Sequence, residues 1–279
     1  MLCLPFMNPG IQQIDVVRVA AQTGVPVIDH TAAEEPLELR LGGEPFVVIM
    51  RTPGADRDLA AGFLLSEQIV RVGPEISAMR YCTDEDGRDS PNVLSVWLNG
   101  DAALRAQHAM SGRRHVASNS ACGVCGRRSI DDLMSGARRV DAAMTVARVV
   151  IDSLPHTLRA AQDTFERTGG LHAAGLFDRQ GTLIRVAEDV GRHNAVDKVI
   201  GASVMAGDMP MSDRALFVSG RTSFEIVQKA VVAGIPIVAA VSAPSSLAVE
   251  LAREAGVTLL GFVRAGGFNI YAGQERVLL

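Results

Sequence analysis

The sequence predicts an α/β protein, in which a three-layer domain with a mixed sheet follows a smaller N-terminal α+β domain and a flexible loop carrying a CxxC pair. Three observations lead to this fold class. After residue 146, apolar strand segments alternate with helical segments. Three of those strands are almost wholly apolar, which is typical of strands covered by helices on both faces. Before about residue 105, apolar and polar residues alternate, which indicates half-exposed strands.

The N-terminal part is predicted to contain two strand pairs around one amphipathic helix. Gly42 and Gly43 supply the turn of the first pair. The strands are Leu37–Leu41, Phe46–Met50, Ser77–Tyr81 and Val93–Leu98, and the helix covers Asp56–Glu67. We therefore divide the chain into an extension (1–33), a small α+β domain (34–110), the CxxC loop with a short helix (111–145) and an α/β domain (146–279).

The α/β domain is predicted to run helix, strand, strand, helix, strand, helix, strand, helix, strand. Its first helix ends at Gly169-Gly170, and Pro155 should bend it. The strands cover residues 171–177, 182–186, 215–218, 235–241 and 257–263, with a turn at 178–181 between the first two. Helices are predicted at Phe224–Ala233 and Ser245–Ala255, the latter with a serine cap and Gly256 as its stop.

Composition excludes several classes of protein. The chain has 279 residues and 48% hydrophobic content, enough for a substantial core. No uncharged apolar stretch reaches membrane-spanning length, and Met1–Gly10 lacks the features of a signal peptide. The net charge of -4 and the aromatic content of 4% argue against a nucleic-acid-binding protein. We expect a cytoplasmic protein that binds neither membrane nor nucleic acid.

The sharpest chemical signal is Cys122-Gly123-Val124-Cys125-Gly126, a CxxC pair among glycines and small polar residues. Arg113 and Arg114 precede it, and Arg127 and Arg128 follow it. Neighbouring arginines lower the pKa of a thiol, and the thiolate is the nucleophilic form. The pair therefore predicts sulfur or redox chemistry.

Three other interpretations of the pair stay open. A structural zinc site would need two more ligands at suitable spacing, and the other cysteines are the isolated Cys3 and Cys82. A thioredoxin-like motif would follow a buried strand, whereas the preceding segment is polar. A structural disulfide would fit a secreted protein better.

Polar and cationic residues follow four successive connections of the predicted sheet. These segments are Glu188–Lys198, Ser219–Ser223, Ser242 and Arg264–Phe268. Ligands of such sheets sit beyond the carboxyl ends of the strands, and arginines with helix N-termini bind phosphate groups. The alternative is helix capping plus solvated surface charge. Because four connections share the pattern, we favour one shared anion pocket.

The hairpin-first order of the α/β domain is similar to the cytidine deaminase fold. Zinc deaminases need H-x-E and P-C-x-x-C. Here His172-Ala173-Ala174 lacks the glutamate, and Arg221–Glu225 contains no cysteine. We therefore expect neither deamination nor a metal site, and interpret His172 as a hydrogen-bonded strand residue.

Taken together, the motifs resemble the formate dehydrogenase accessory sulfurtransferase family, FdhD. The resemblance covers nearly everything after the first thirty residues. It rests on Cys122–Gly126, Gly170–Ala174, Glu188–Lys198, Ser219–Glu225, Gly261–Arg264 and Asn269–Tyr271.

The resemblance implies a sulfurtransferase. Cys122 would accept sulfane sulfur from a cysteine desulfurase as a persulfide, with Cys125 as an auxiliary thiol. The acceptor would be the bis-molybdopterin guanine dinucleotide cofactor that formate dehydrogenase needs, and a homodimer is implied. The family's cofactor-binding stretch maps onto Phe262, Val263, Arg264, Ala265, Gly266, Gly267 and Phe268. The anion pocket would hold the nucleotide end, which GDP would mimic, and it adds the candidate binding residues Arg192, His193, Asn194, Ser219, Arg221 and Thr222.

Two hypotheses of another class remain. The first is a noncatalytic chaperone that binds the molybdenum cofactor and uses its CxxC for redox or structural purposes. The second is a thiol-disulfide oxidoreductase, which would need both cysteines and a cycling disulfide.

Overall fold

The structure is a computed structural model that describes residues 8–21, 23–83, 89–113 and 139–279. Its first part is an antiparallel ribbon of two strands, followed by a four-stranded sheet of order β4-β3-β6-β5. The elements are β1 (Ile11–Ala20), β2 (Thr23–Ala32), β3 (Glu35–Leu41), β4 (Glu44–Arg51), α1 (Asp56–Ser66), β5 (Ile76–Thr83), β6 (Asp89–Leu98) and α2 (Gly100–Arg113). The four predicted strands and the helix between them are present, whereas α2 was not predicted.

The second part contains a six-stranded mixed sheet of order β13-β12-β11-β10-β8-β9. Its elements are β7 (Val146–Ala147), α3 (Arg148–Ala160), α4 (Asp163–Thr168), β8 (His172–Phe177), β9 (Leu183–Asp189), α5 (Arg192–Ala206), β10 (Ala215–Val218), α6 (Phe224–Ala233), β11 (Ile237–Ala240), α7 (Ser246–Ala255), β12 (Thr258–Arg264), β13 (Gly267–Ala272) and β14 (Val277–Leu278). The central strands β10, β11 and β12 are parallel, and the flanking pairs are antiparallel. The chain is therefore a mixed α/β protein.

Two parts of this region differ from the prediction. The first predicted helix is two helices, because α3 ends at Ala160 and α4 at Thr168, where Gly169 takes a left-handed conformation. The last predicted strand continues into a hairpin with β13, so Arg264–Phe268 surrounds a turn between two strands. The predicted serine cap of α7 is confirmed, since the Ser245 hydroxyl accepts a hydrogen bond from the Ala248 backbone N–H.

Helices cover both faces of the six-stranded sheet. Along β8, Ala173 and Phe177 belong to a cluster with α3, whereas Ala174 and Leu176 belong to one with α5, α6 and α7. This alternation follows from the two-residue period of a strand. The second cluster also contains Leu39 and Val96 of the N-terminal sheet, so both parts share one core. No helix among the described residues is long and apolar enough to cross a bilayer.

The N-terminal sheet and the second part meet where α1 crosses α5. A Cβ atom added to Gly62 would lie 1.9 Å from the carbonyl oxygen of Asp197, and one added to Gly201 would lie 1.8 Å from that of Asp58. The two backbones are therefore in direct contact. Helix α1 was predicted to be amphipathic, but it is buried on almost every side because a sheet packs on one face and α5 on the other.

Buried ion pairs fix both ends of α1. At its start, Arg51 donates hydrogen bonds to both carboxylate oxygens of Asp56, at 3.0 and 3.1 Å. Near its end, Ser66 donates to Asp197, which also accepts from Lys229 at 2.7 and 2.8 Å. Burial raises the pKa of Asp197, and the charge of Lys229 opposes that shift.

We expect Gly62→Ala to lower the free energy of unfolding by at least about 1–3 kcal/mol. The new methyl group would overlap the Asp197 carbonyl, so α1 and α5 would have to move apart. Urea denaturation measures this. Gly170→Ala is the control, since its Cβ would meet Ala32 at an ordinary 3.5 Å. Equal stability of the two variants would contradict the helix crossing.

We expect Lys229→Met to cost about 3–5 kcal/mol of stability, because it leaves the buried Asp197 carboxylate without its cation. Adding Asp197→Asn should recover part of that loss, because no buried charge then lacks a partner. Thermal and urea unfolding of the single and double variants test this coupling. If the double variant is less stable than the Lys229 variant, the pair does not act as described.

Candidate functional site

The predicted pocket residues meet at one edge of the six-stranded sheet. The parallel strands β10, β11 and β12 end there, and the antiparallel register pairs Val218 with Ala174 and His172 with Asp189. The start of β8 and the end of β9 therefore lie at the same edge. We call its loops the carboxyl-edge rim, which comprises residues 189–193, 219–223, 241–245 and 262–267.

Backbone hydrogen bonds connect the loops of the carboxyl-edge rim. The Thr222 N–H donates to the Ala243 carbonyl at 3.2 Å, and the Ser245 N–H donates to the Thr222 carbonyl at 2.9 Å. The Phe262 N–H donates to the Ser242 carbonyl at 3.2 Å. The loops after three adjacent strands therefore form one continuous surface.

Two of the predicted binding residues are engaged inside the protein. The Ser219 hydroxyl accepts a hydrogen bond from the Ala173 N–H at 2.9 Å. The Asn194 side-chain nitrogen donates to the Met50 carbonyl and to Asp189, at 2.8 Å each. Both residues hold the rim in place through these bonds.

The Asp189 carboxylate is fully buried and organises the start of α5. It accepts hydrogen bonds from the backbone N–H groups of Thr52 and Gly191, at 3.1 and 2.8 Å. Lys198 pairs with it at 2.7 Å and also donates to the Thr52 carbonyl at 2.9 Å. Much of the Glu188–Lys198 motif therefore joins the N-terminal sheet to the rim.

Unpartnered donors lie at the first residue of α5 and in the loop just before α6. The Nε atom of Arg192 and the hydroxyl of Thr222, a residue only 1% exposed, are buried without a hydrogen-bond partner in the described part of the chain. Gly191 and Ser223, the N-cap residues of the two helices, make no side-chain cap. Buried polar groups are normally paired, and helix N-termini attract anions. These groups fit an anionic ligand such as a phosphate.

Two histidines, His172 and His193, lie at this edge of the sheet, and burial lowers the pKa of both. For His193, burial together with the charges of Lys229 and Arg192 brings the pKa to about 4, so its ring is uncharged at neutral pH. Its Nε2 lies 3.1 Å from the Ser223 hydroxyl. For His172, burial and the charge of Arg192 lower the pKa. The sequence predicted a hydrogen-bonded strand residue at this position. His172 does lie in β8, but its ring has no hydrogen-bond partner among the described residues.

The predicted stretch Phe262–Phe268 splits between the core and the surface. Val263 is buried and Phe268 packs against the cluster with α3, whereas Phe262, Arg264, Ala265 and Gly266 are exposed. Phe262 has a positive φ of 54°, which is rare for a side chain of this size, and it lies at a register shift between β12 and β13. The bulge presents a 41% exposed aromatic ring at the rim.

The structure adds features that the sequence did not reveal. The 3.8 Å approach of Glu225 to His193 joins residues 32 positions apart, and the left-handed backbone of Phe262 has no sequence signal. A Cβ atom on Gly220 would lie 3.3 Å from the His172 ring, so this glycine lets the ring approach the loop. Cys122 and Cys125 lie outside the described residues.

Comparison with known proteins gives a consistent assignment. The model of the FdhD/NarQ family matches residues 32–278. The chain is 50% identical over 266 residues to "Sulfur carrier protein FdhD" of Nocardia farcinica, covering 94% of this chain and 93% of that one. It is 48% identical to the protein of the same name from Streptomyces avermitilis, with 90% of each chain covered.

A solved structure agrees with these relatives. The crystal structure of a putative formate dehydrogenase accessory protein from Desulfotalea psychrophila matches with a TM-score of 0.72 and 25% identity. The match covers 96% of this chain and 98% of that one. With the family model spanning residues 32–278 and relatives half identical along almost their whole length, this chain belongs to the FdhD/NarQ family.

Proposed function

We propose that this protein is a sulfur carrier that takes sulfane sulfur from a cysteine desulfurase and transfers it to the bis-molybdopterin guanine dinucleotide cofactor of formate dehydrogenase. The observation that carries the proposal is the carboxyl-edge rim, where the Arg192 Nε and the Thr222 hydroxyl have no partner among the described residues and the N-terminus of α5 has no side-chain cap. The names of the relatives and of the solved structure support the sulfur-carrying part.

The proposed chemistry begins at Cys122. Its thiolate attacks the terminal sulfur of the desulfurase persulfide, and the desulfurase cysteine leaves as a thiolate. The product is a persulfide on Cys122. Release of its terminal sulfur as sulfide, which the cofactor would accept, requires two electrons. The Cys125 thiolate supplies them by attacking the Cys122 sulfur, so that the bond to the terminal sulfur breaks and a Cys122–Cys125 disulfide forms. A cellular thiol reductant then regenerates the pair.

The nucleotide end of the cofactor is proposed to lie on the carboxyl-edge rim. Its diphosphate would accept hydrogen bonds from Arg192, Thr222 and the N-terminus of α5. The exposed ring of Phe262 would provide a stacking surface for a guanine base. The rim would thus hold the cofactor by groups remote from its metal.

The noncatalytic chaperone remains the second candidate, because the unpartnered donors among the described residues, Arg192 Nε and the Thr222 hydroxyl, would hold the cofactor without any part in sulfur chemistry. Such a protein would bind the same nucleotide without any persulfide. The two candidates therefore differ in the chemistry of Cys122.

We expect the intact mass of the protein to increase by one sulfur atom after incubation with a cysteine desulfurase and cysteine. The increase should vanish in Cys122→Ala and persist in Cys125→Ala. Cys82→Ala is the control, because Cys82 contacts Ser95 inside the N-terminal sheet. If the wild-type protein gains no sulfur from an active desulfurase, the sulfur-carrier proposal is wrong and the noncatalytic chaperone is the remaining candidate.

We expect Phe262→Ala to weaken binding of GDP by about 1–3 kcal/mol, the usual contribution of a base stacked on an aromatic ring. Isothermal titration calorimetry measures the affinity. Trp97→Ala is the matched control, since Trp97 is exposed to a similar 38% on the N-terminal sheet. An equal loss in both variants, or none in either, would contradict the stacking role.

A further inference from the structure

Glu225 is a hydrogen-bond acceptor that lies directly beside the donors of the carboxyl-edge rim, two positions after its segment 219–223. It is the second residue of α6, and its side chain is 21% exposed. Its carboxylate makes no hydrogen bond and no ion pair with lysine or arginine among the described residues. The nearest charged or titratable contact is Nε2 of His193, at 3.8 Å from Oε2.

The His193 contact does not neutralise Glu225. Burial and nearby cations keep the pKa of His193 at about 4, so the ring carries no charge at neutral pH. The neighbouring cation Lys229 is engaged by both oxygens of Asp197, at 2.7 and 2.8 Å. Both carboxylate oxygens of Glu225 therefore remain available to a ligand.

The neighbouring carboxylates of Glu188 and Asp189 are already engaged. Glu188 accepts hydrogen bonds from the backbone N–H groups of Thr164 and Phe165, at 2.9 and 2.7 Å. Asp189 is fully buried and has four donors. Of these three carboxylates, Glu225 is the one that a ligand can meet.

The chemistry of a carboxylate selects which part of a nucleotide it can meet. A phosphate would be repelled, whereas guanine presents two adjacent donors, N1–H and the 2-amino group, that match two carboxylate oxygens. Adenine presents an acceptor at N1. We propose that Glu225 is the specificity-determining residue that selects guanine over adenine by accepting hydrogen bonds from N1–H and the 2-amino group. This inference rests on the proposed nucleotide site.

A simpler role for Glu225 is stabilisation of the α6 N-terminus by its negative charge. That role predicts an effect on stability and on all nucleotides alike, because it does not involve the base. The two roles are therefore separated by the identity of the base.

The test measures binding of GDP, IDP and ADP to the full-length protein by calorimetry. IDP keeps N1–H but lacks the 2-amino group. We expect the wild type to bind GDP at least about tenfold tighter than ADP, with IDP between them. Glu225→Gln should remove most of this preference while leaving the ADP affinity within about twofold, since the amide cannot accept both hydrogen bonds. Glu250→Gln, an exposed position on α7 with the same charge change, should keep the preference.

An unchanged GDP-to-ADP ratio in Glu225→Gln overturns the inference and leaves the nucleotide site intact. An equal loss for both nucleotides also overturns it, because the effect then lies on the shared ribose, on the phosphates or on the fold. A wild type that binds no nucleotide removes the proposed nucleotide site and the inference together. The Cys122 mass measurement then still reports on the sulfur-carrying part.

Discussion

The contact between α1 and α5 is the constraint on which the other features depend. Two glycines, Gly62 and Gly201, allow each helix to lie against carbonyl groups of the other. This crossing brings the Thr52 segment against Asp189 and Lys198, which fix the first turn of α5. The positions of Arg192 and of the α5 N-terminus, which has no side-chain cap, follow from that contact. A site in the second part of the chain therefore depends on packing that begins in the first.

The periodicity of the sequence was enough to predict most of the strands and the α/β class, because burial on one or both faces leaves a direct pattern. It was not enough for elements whose stability comes from tertiary contacts. The polar and glycine-rich residues after Arg264 gave no strand pattern. In the structure they form the turn at Gly266 of a hairpin between β12 and β13. The close approach of α1 to α5 depends on glycines separated by 139 positions, which no local pattern relates.

The candidate site was predicted as a location more accurately than as a set of contacts. Polar residues after the strands do gather at one edge, because parallel strands end together. Yet a polar motif does not reveal which side chains the protein uses for itself. Asn194 and Asp189 are engaged internally, whereas Arg192 and Thr222 each keep an atom without a partner among the residues that the structure describes. Only the three-dimensional pairing separates residues that build the site from residues that remain available to a ligand.

The carboxyl-edge rim is held together by backbone groups, from Thr222 through Ala243 and from Ser242 to Phe262. Such bonds do not depend on which side chains the loops carry, provided that no proline removes a donor. The rim can therefore accept exchanges of its exposed side chains without losing its shape. For protein engineering, this makes the edge a scaffold on which ligand preference can be redesigned separately from folding.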